Sequence, residues 1–256
     1  MAGTDHGRAP EAEAAPVFIL VEPQMGENIG AAARAMWNFG LDEMRLVAPR
    51  DGWPNPKAEA TASGAGRVLE RARALPDLAA ATADLGLVLA TTARPRDLTK
   101  LVLTPERAMA EARAAIAAGE RVGVLFGPER AGLTNDHVAR ANAIVAVPVN
   151  PGFASLNLAQ CVLVLGYEWM RSAGTTPPAE LALAGAQRAS GVELERLRAH
   201  LVERLDAVGF FFPEHKRDSM VRILENLLSR AALTDADVRV LHGVIRALAV
   251  KQPGRK

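Results

Sequence analysis

Five apolar runs of strand length, Val17–Val21, Met44–Ala48, Leu85–Ala90, Val122–Phe126 and Ile144–Val149, punctuate the chain, and most are followed by a stretch with helical spacing. A strand with one face in water alternates apolar and polar residues, whereas a continuous apolar run must be covered on both faces. The pattern therefore predicts an α/β architecture: a mainly parallel, Rossmann-like sheet buried between helices. The first helix is expected from about Asn28 to Phe39, with Asn28 as N-cap and Gly40 as stop signal. A second fits Pro105 to Ala118, with proline in the first turn and Gly119 at the end. A third fits Leu156 to Met170; it is apolar nearly all round and is expected to be buried.

At 256 residues the chain is long enough for a sizeable core and corresponds to about 1.7 domain equivalents. Residues 1–16, rich in alanine and proline with Asp5, Glu11 and Glu13, read as a disordered lead. The sheet domain is expected over 17–172. After Arg171 the stretch from Ser172 to Pro178 has linker composition, and the linker is placed at 173–189. Helical periodicity then returns in Val192–Val208, Glu214–Ala232 and Asp235–Val250, which predicts a small all-helical domain over 190–251 and a tail at 252–256.

Thirty basic and 29 acidic residues leave a net charge of +1, so bulk charge gives no argument for nucleic-acid binding; such a partner would need a local patch. The single cysteine, Cys161, excludes an intramolecular disulfide and fits a reducing compartment, where it reads as a small buried apolar residue. The N-terminus lacks the apolar segment of a signal peptide, and no run approaches the ~18 apolar residues of a membrane span. A cytoplasmic protein without a membrane partner is expected. The turn after the first strand does not match G-x-G-x-x-G, and there is neither a phosphate-binding P-loop nor a G-x-S-x-G elbow. The five histidines show no metal-ligand spacing, so no metal site is expected.

Three polar, glycine-containing segments fall where open α/β sheets bind ligands, beyond the carboxyl ends of strands. The first is Asn28-Ile29-Gly30-Ala31-Ala32-Ala33-Arg34-Ala35-Met36, whose small residues allow close packing of a helix on the sheet. Taken alone, its Asn28 and Arg34 are a cap and a solvated charge. The second, Phe126-Gly127-Pro128-Glu129-Arg130-Ala131-Gly132-Leu133-Thr134, reads on its own as a turn feeding a helix capped by Thr134. The third is Asn150-Pro151-Gly152-Phe153-Ala154-Ser155-Leu156-Asn157-Leu158-Ala159. Ser155 suits a cap, which would leave the Asn157 amide in the first turn of an apolar helix and in need of partners.

In this order the three segments resemble the motifs of the SPOUT superfamily of RNA methyltransferases, in its TrmH/TrmJ branch of ribose 2′-O-methyltransferases. NIGAAARAM, LFGPERAGLT and NPGFASLNLAQ are close to the family's three motifs, and Thr91-Thr92-Ala93-Arg94 resembles a further family stretch. The likeness covers about Val17 to Met170 and continues more weakly through Gly209-Phe210-Phe211 and Pro213-Glu214-His215. It implies a sheet whose C-terminal part forms a deep trefoil knot, a known exception to the rule that chains avoid knots. It also implies S-adenosyl-L-methionine as cofactor, a homodimer with the site near the subunit interface, and tRNA as substrate, with cytidine or uridine at position 32 of the anticodon loop as target. An rRNA 2′-O-methyltransferase and an inactive knotted RNA-binding module are the alternatives.

The resemblance places Arg34, Asn28, Ser155 and Asn157 in catalytic positions. A guanidinium stays protonated in proteins and is a poor general base, so Arg34 would clamp a phosphate and stabilise the developing alkoxide. Asn28 would bind the ribose or hold Arg34, while Ser155 and Asn157 would line the edge shared by cofactor and acceptor. Thr91, Thr92, Ala93, Gly127, Glu129, Gly132, Val147, Val149, Ser155 and Leu156 would hold the cofactor, with Glu129 orienting its loop through hydrogen bonds. Arg34, Arg94, Arg96 and Arg130 are candidates for RNA contacts, although each is also an ordinary surface charge, and Arg130 more commonly pairs with a carboxylate. Phe210-Phe211-Phe212 either stacks on bases or, more commonly for such a run, packs the helical domain onto the core.

Overall fold

The structure is a computed structural model describing residues 14–93, 99–175 and 185–249. Residues 1–13 of the expected lead, Arg94 and Arg96, the central part of the linker and the tail lie outside the described residues. The chain divides into two compact units, 1–177 and 178–256.

In the first unit the elements run β1 (Val17–Val21), α1 (Gly26–Asn38), β2 (Met44–Val47), α2 (Pro56–Ala62), α3 (Gly66–Arg71), β3 (Arg73–Leu75), α4 (Leu78–Thr82), β4 (Leu87–Thr91), β5 (Leu101–Leu103), α5 (Pro105–Ala117), β6 (Val122–Phe126), α6 (Asn135–Ala139), β7 (Ala143–Val145) and α7 (Leu158–Arg171). The strands form one seven-stranded sheet in the order β3-β2-β1-β6-β4-β7-β5, and every pairing is parallel. Alternate residues of each strand enter opposite layers. Phe18, Leu20, Leu46, Leu89, Val124 and Phe126 pack beneath α1, α5 and α7, and Ile19, Val88, Ala90 and Leu125 pack against Leu78, Ala81 and Val138 of α4 and α6. The short edge strands β3 and β5 have no counterpart among the five apolar runs. In β5, Leu101 and Val102 are exposed, so it carries too little buried surface to stand out as a run.

Helix α1 begins two residues earlier than expected. Met25 occupies its N-cap without a side-chain hydrogen bond, and Asn28 lies inside the first turn with its amide free for other work. The small residues of α1 serve neighbouring helices as well as the sheet. A Cβ on Gly30 would lie 2.2 Å from the Ala58 carbonyl oxygen, so α1 and α2 approach backbone to backbone. Helix α7 also departs from expectation. It buries Leu158, Val162, Leu165, Gly166 and Trp169 but exposes a second apolar stripe, Leu163, Tyr167 and Met170, 42–53% accessible. Arg113 of α5 pins its end, with the guanidinium 3.9 Å from the Trp169 ring centre and Nη2 donating to the Trp169 carbonyl at 2.9 Å.

The amino ends of the strands are closed by an ionic network around Arg45. Its side chain is 2% exposed; Nη1 donates to Asp84 at 2.6 Å and to the Ala81 carbonyl at 2.8 Å, and Nη2 to Glu43 at 3.0 Å and to the second Asp84 oxygen at 2.8 Å. Arg121 bridges the same two carboxylates at 2.6 and 2.7 Å, and Arg73 adds a third contact to Glu43 at 3.0 Å. Hydrogen bonds from Arg45 hold Asp84 well below the usual carboxylate range, against the opposing effect of burial. Burial pushes Glu43 up, but hydrogen bonds from Arg45 and Arg121 outweigh it and leave Glu43 lowered.

In the second unit α8 (Gly191–Ala207), α9 (Arg217–Arg230) and α10 (Asp235–Ala249) surround Leu197, Leu228, Val238 and Ile245. Ser190 caps α8 in a reciprocal arrangement with Glu193. The expected helix from Glu214 starts as one 3₁₀ turn, Glu214–Lys216, before α9. Of the three consecutive phenylalanines, Phe211 is buried with the Arg217 guanidinium 5.5 Å from its ring centre, whereas Phe210 and Phe212 are exposed. Among the described residues no helix is long and apolar enough to cross a membrane.

Candidate active site

Because β6, β4 and β7 are adjacent and parallel, the segments leaving their carboxyl ends converge at one edge of the sheet. The convergence is fastened by backbone and side-chain bonds. Thr92 N donates to the Val145 carbonyl at 3.1 Å, and the buried Thr91 hydroxyl donates to the Leu125 carbonyl at 2.8 Å. Between the three segments lies a cavity of about 260 Å³.

Its walls include Thr91, Thr92 and Ala93 after β4, Gly127, Glu129, Arg130 and Gly132 after β6, and Val147, Val149, Ser155 and Leu156 after β7. All ten residues singled out in the sequence for cofactor binding therefore line one cavity, although they span 66 positions of the chain, from 91 to 156. Phe126, Pro128, Ala131, Val145, Ala154, Leu158 and Cys161 complete the wall. Burial pushes the Cys161 thiol up to about 11, with a smaller opposite pull from a hydrogen bond with Thr91, so it faces the cavity as a neutral group.

The 127–132 loop is folded tightly on itself. Gly132 has φ +65°, and its N–H donates to the Pro128 carbonyl at 2.8 Å. A Cβ on Gly127 would lie 2.2 Å from the Leu133 nitrogen and 2.9 Å from the Gly132 Cα, so the loop's own backbone demands glycine there. Thr134 ends the loop as the N-cap of α6, as its sequence suggests, with His137 completing the reciprocal bond.

Glu129 turns away from the loop toward the β1–α1 turn. Its Oε2 accepts from Gln24 N at 2.8 Å, and its Oε1 accepts from Met25 N at 3.3 Å and from Asn28 Nδ2 at 2.8 Å. Asn28 in turn accepts through Oδ1 from Asn157 Nδ2 at 3.1 Å. Asn157, not Ser155, is the N-cap of α7: its Oδ1 accepts from Ala159 N at 2.9 Å, and Gln160 Oε1 accepts from Asn157 N at 3.2 Å. The Asn157 amide is exposed rather than buried, because α7 starts two residues later than expected, and its partner is Asn28. A carboxylate and two amides thus form a row joining all three sequence motifs. Ser155 lies beside the row on the cavity wall.

The cationic candidates are less concentrated. Arg34 is exposed on α1, six residues beyond Asn28 and about 9 Å further along the helix axis. It does not line the cavity, and it makes no hydrogen bond or ion pair with another described residue. Arg130 does line the cavity, but it is exposed and has no carboxylate partner among the described residues, which corrects the expectation of a surface pair. Sequence reasoning missed the Gln24 and Met25 backbone groups that anchor Glu129. The strand-end rule points to that turn, but no residue type in it reports the contact.

The model of the SpoU rRNA Methylase family matches residues 15–167, and that of the tRNA methyltransferase TrmJ C-terminal domain matches 192–256. The chain is 36% identical over 235 residues to the tRNA (cytidine/uridine/adenosine-2′-O-)-methyltransferase TrmJ of Pseudomonas aeruginosa, covering 89% of this chain and 91% of that protein. It is 34% identical over 244 residues to the tRNA (cytidine/uridine-2′-O-)-methyltransferase TrmJ of Klebsiella pneumoniae, covering 93% and 98%. The crystal structure of TrmJ from Z. mobilis ZM4 superposes with a TM-score of 0.78 at 50% identity, covering 92% of this chain and all of that one.

Proposed function

The chain belongs to the SpoU rRNA methylase family, in its TrmJ branch, and from that premise we propose that it methylates the ribose 2′-hydroxyl of a tRNA nucleotide, using S-adenosyl-L-methionine bound in the cavity. The observation that carries the reading is the row Glu129–Asn28–Asn157, which sets acceptor-side groups from α1 and α7 against a cavity built from the segments after β4, β6 and β7.

The cavity suits the cofactor in its chemistry. Val145, Val147, Leu156 and Leu158 offer an apolar face for an adenine, and the turns around Thr92 and Gly132 offer backbone groups for its polar edges. When bound, S-adenosyl-L-methionine supplies an electrophilic methyl on a sulfonium centre. The protein's share is positioning and charge stabilisation. Glu129 fixes the loop and the Asn28 amide, and Asn28 fixes Asn157. These amides and the Ser155 hydroxyl hold the ribose at the cavity edge. Arg34 would grip a backbone phosphate and stabilise the negative charge that develops on the 2′-oxygen as its proton passes to solvent water.

A homodimer belongs to the same reading. Arg34 lies outside the cavity of its own chain, and α1 packs beside α7, whose stripe Leu163, Tyr167 and Met170 is apolar and exposed. A second copy covering that stripe brings Arg34 to a site at the interface. Threading of the segment after β7 as a trefoil knot, action in the cytoplasm and nucleotide 32 as target complete the proposal.

The test is transfer of labelled methyl groups to bulk tRNA, followed by mapping of ribose methylation in tRNA from cells with and without the protein. Incorporation at nucleotide 32 is expected. Incorporation into rRNA alone would move the substrate, and cofactor binding without transfer to any RNA would leave an RNA-binding module.

A further inference from the structure

We propose that Phe153 is the platform on which the base of the methylated nucleotide stacks, an inference that rests on the reading of the cavity as a ribose methyltransferase site. Phe153 is 79% exposed, among the most exposed large apolar side chains described. Yet it does not sit on a slack loop. It closes a 3₁₀ turn, Pro151–Phe153, in which Pro151 fixes its own φ, Asn150 Oδ1 accepts from Gly152 N at 3.0 Å, and the Asn150 carbonyl accepts from Phe153 N at 2.9 Å. On the other side, Ala154, Ser155 and Leu156 line the cavity, and Asn157 is held by both the α7 backbone and Asn28. The ring is therefore presented to solvent from an internally bonded turn that runs directly into the cavity wall.

Position decides what it meets. Ser155 is two residues away, so the Phe153 backbone lies within about 7 Å of it. A ribose held by Ser155 and the two amides carries its base within reach of the ring. A phenyl face offers no hydrogen bonds, so it supports any base through stacking without reading its edge. Specificity then has to come from elsewhere on the tRNA, while Phe153 holds the nucleotide in place.

The experiment compares the wild-type chain, Phe153→Ala and Phe153→Trp on two tRNA transcripts, one intact and one lacking only the base at the methylated nucleotide. On intact tRNA, Phe153→Ala is expected to raise KM about tenfold with kcat changed far less, and Phe153→Trp to restore the wild-type value. On the baseless transcript the wild type and Phe153→Ala should have the same KM. Cofactor affinity by calorimetry and oligomeric state by sedimentation should match the wild type in both variants. An unchanged KM on intact tRNA, a tenfold gap that persists on the baseless transcript, or a dimer weakened by Phe153→Ala overturns the proposal, the last by placing the ring against a second copy. A wild-type chain inert on every RNA overturns the functional reading itself, and the base platform with it.

Discussion

The two ends of the parallel sheet hold their polar groups in opposite ways. At the amino end Arg45, buried to 2% exposure, gathers Glu43 and Asp84, with Arg73 and Arg121 closing the cluster from outside. Three guanidiniums share two carboxylates there, each of them paired, and little remains to engage a ligand. At the carboxyl end one carboxylate and two amides form a row along an open cavity, while the nearby cations, Arg34 and Arg130, have no acidic partner among the described residues. Charges engaged with one another are costly to separate, and charge left unpaired beside a cavity is available to a substrate.

The comparison breaks if the ends exchange effects under mutation. The largest effect should fall on the carboxyl end: Arg34→Ala is expected to lower kcat about a thousandfold, close to 4 kcal/mol of transition-state stabilisation, with the thermal midpoint and cofactor affinity unchanged. Steady-state kinetics with calorimetry checks this, and a large fall in cofactor affinity would put Arg34 inside the binding pocket. Next comes the amino end. Arg45→Met should cost about 2 kcal/mol in denaturant unfolding, below the roughly 3–5 of a fully buried pair, because Glu43 and Asp84 keep Arg121 and reach solvent. Its kcat should stay near wild type at temperatures where it is folded.

Asn157→Ala sharpens the contrast because Asn157 is both a helix cap and a member of the row. It should reduce kcat about tenfold and stability by about 1 kcal/mol, and wild-type kcat with the stability loss alone would make it only a cap. The smallest effect is expected on acidification. Asp84 and Glu43 have lowered folded-state values, so their contribution is fully present above the usual values of 3.8 and 4.5 and is lost as pH falls through and below them. Unfolding followed from pH 7 to pH 3 should therefore change little down to about 4.5 and then weaken, less so in Arg45→Met.

The α/β class was legible because buried parallel strands must read as unbroken apolar runs; Val17–Val21 and Val122–Phe126 match β1 and β6 residue for residue. The short edge strands β3 and β5 were not, since their packing is too slight to leave a run. The wall of the cavity was legible through the motif resemblance, and Thr134 and Gly40 through local chemistry. Helix starts at α1 and α7 were misplaced because a capping residue type says nothing about which of several candidates wins. Asn28 lost its cap role to a contact with Glu129, 101 positions away, and Ser155 lost to Asn157, which Asn28 steadies across 129 positions. Contacts of that span leave no trace in local spacing. The exposed stripe of α7 was hidden for the opposite reason: apolar residues all round a helix predict burial but do not name what buries them.

A carboxylate can only accept, so Glu129 dictates which way the Asn28 amide faces, and the Ala159 N–H, which needs an acceptor, sets the Asn157 amide the matching way round. The row consequently has a polarity written from both ends. Exchanging Asn28 for aspartate would set two carboxylates face to face, whereas exchanging Glu129 for glutamine would remove the charge and leave Asn157 held by its helix cap. A change at any one of the three positions therefore alters what the other two can donate or accept.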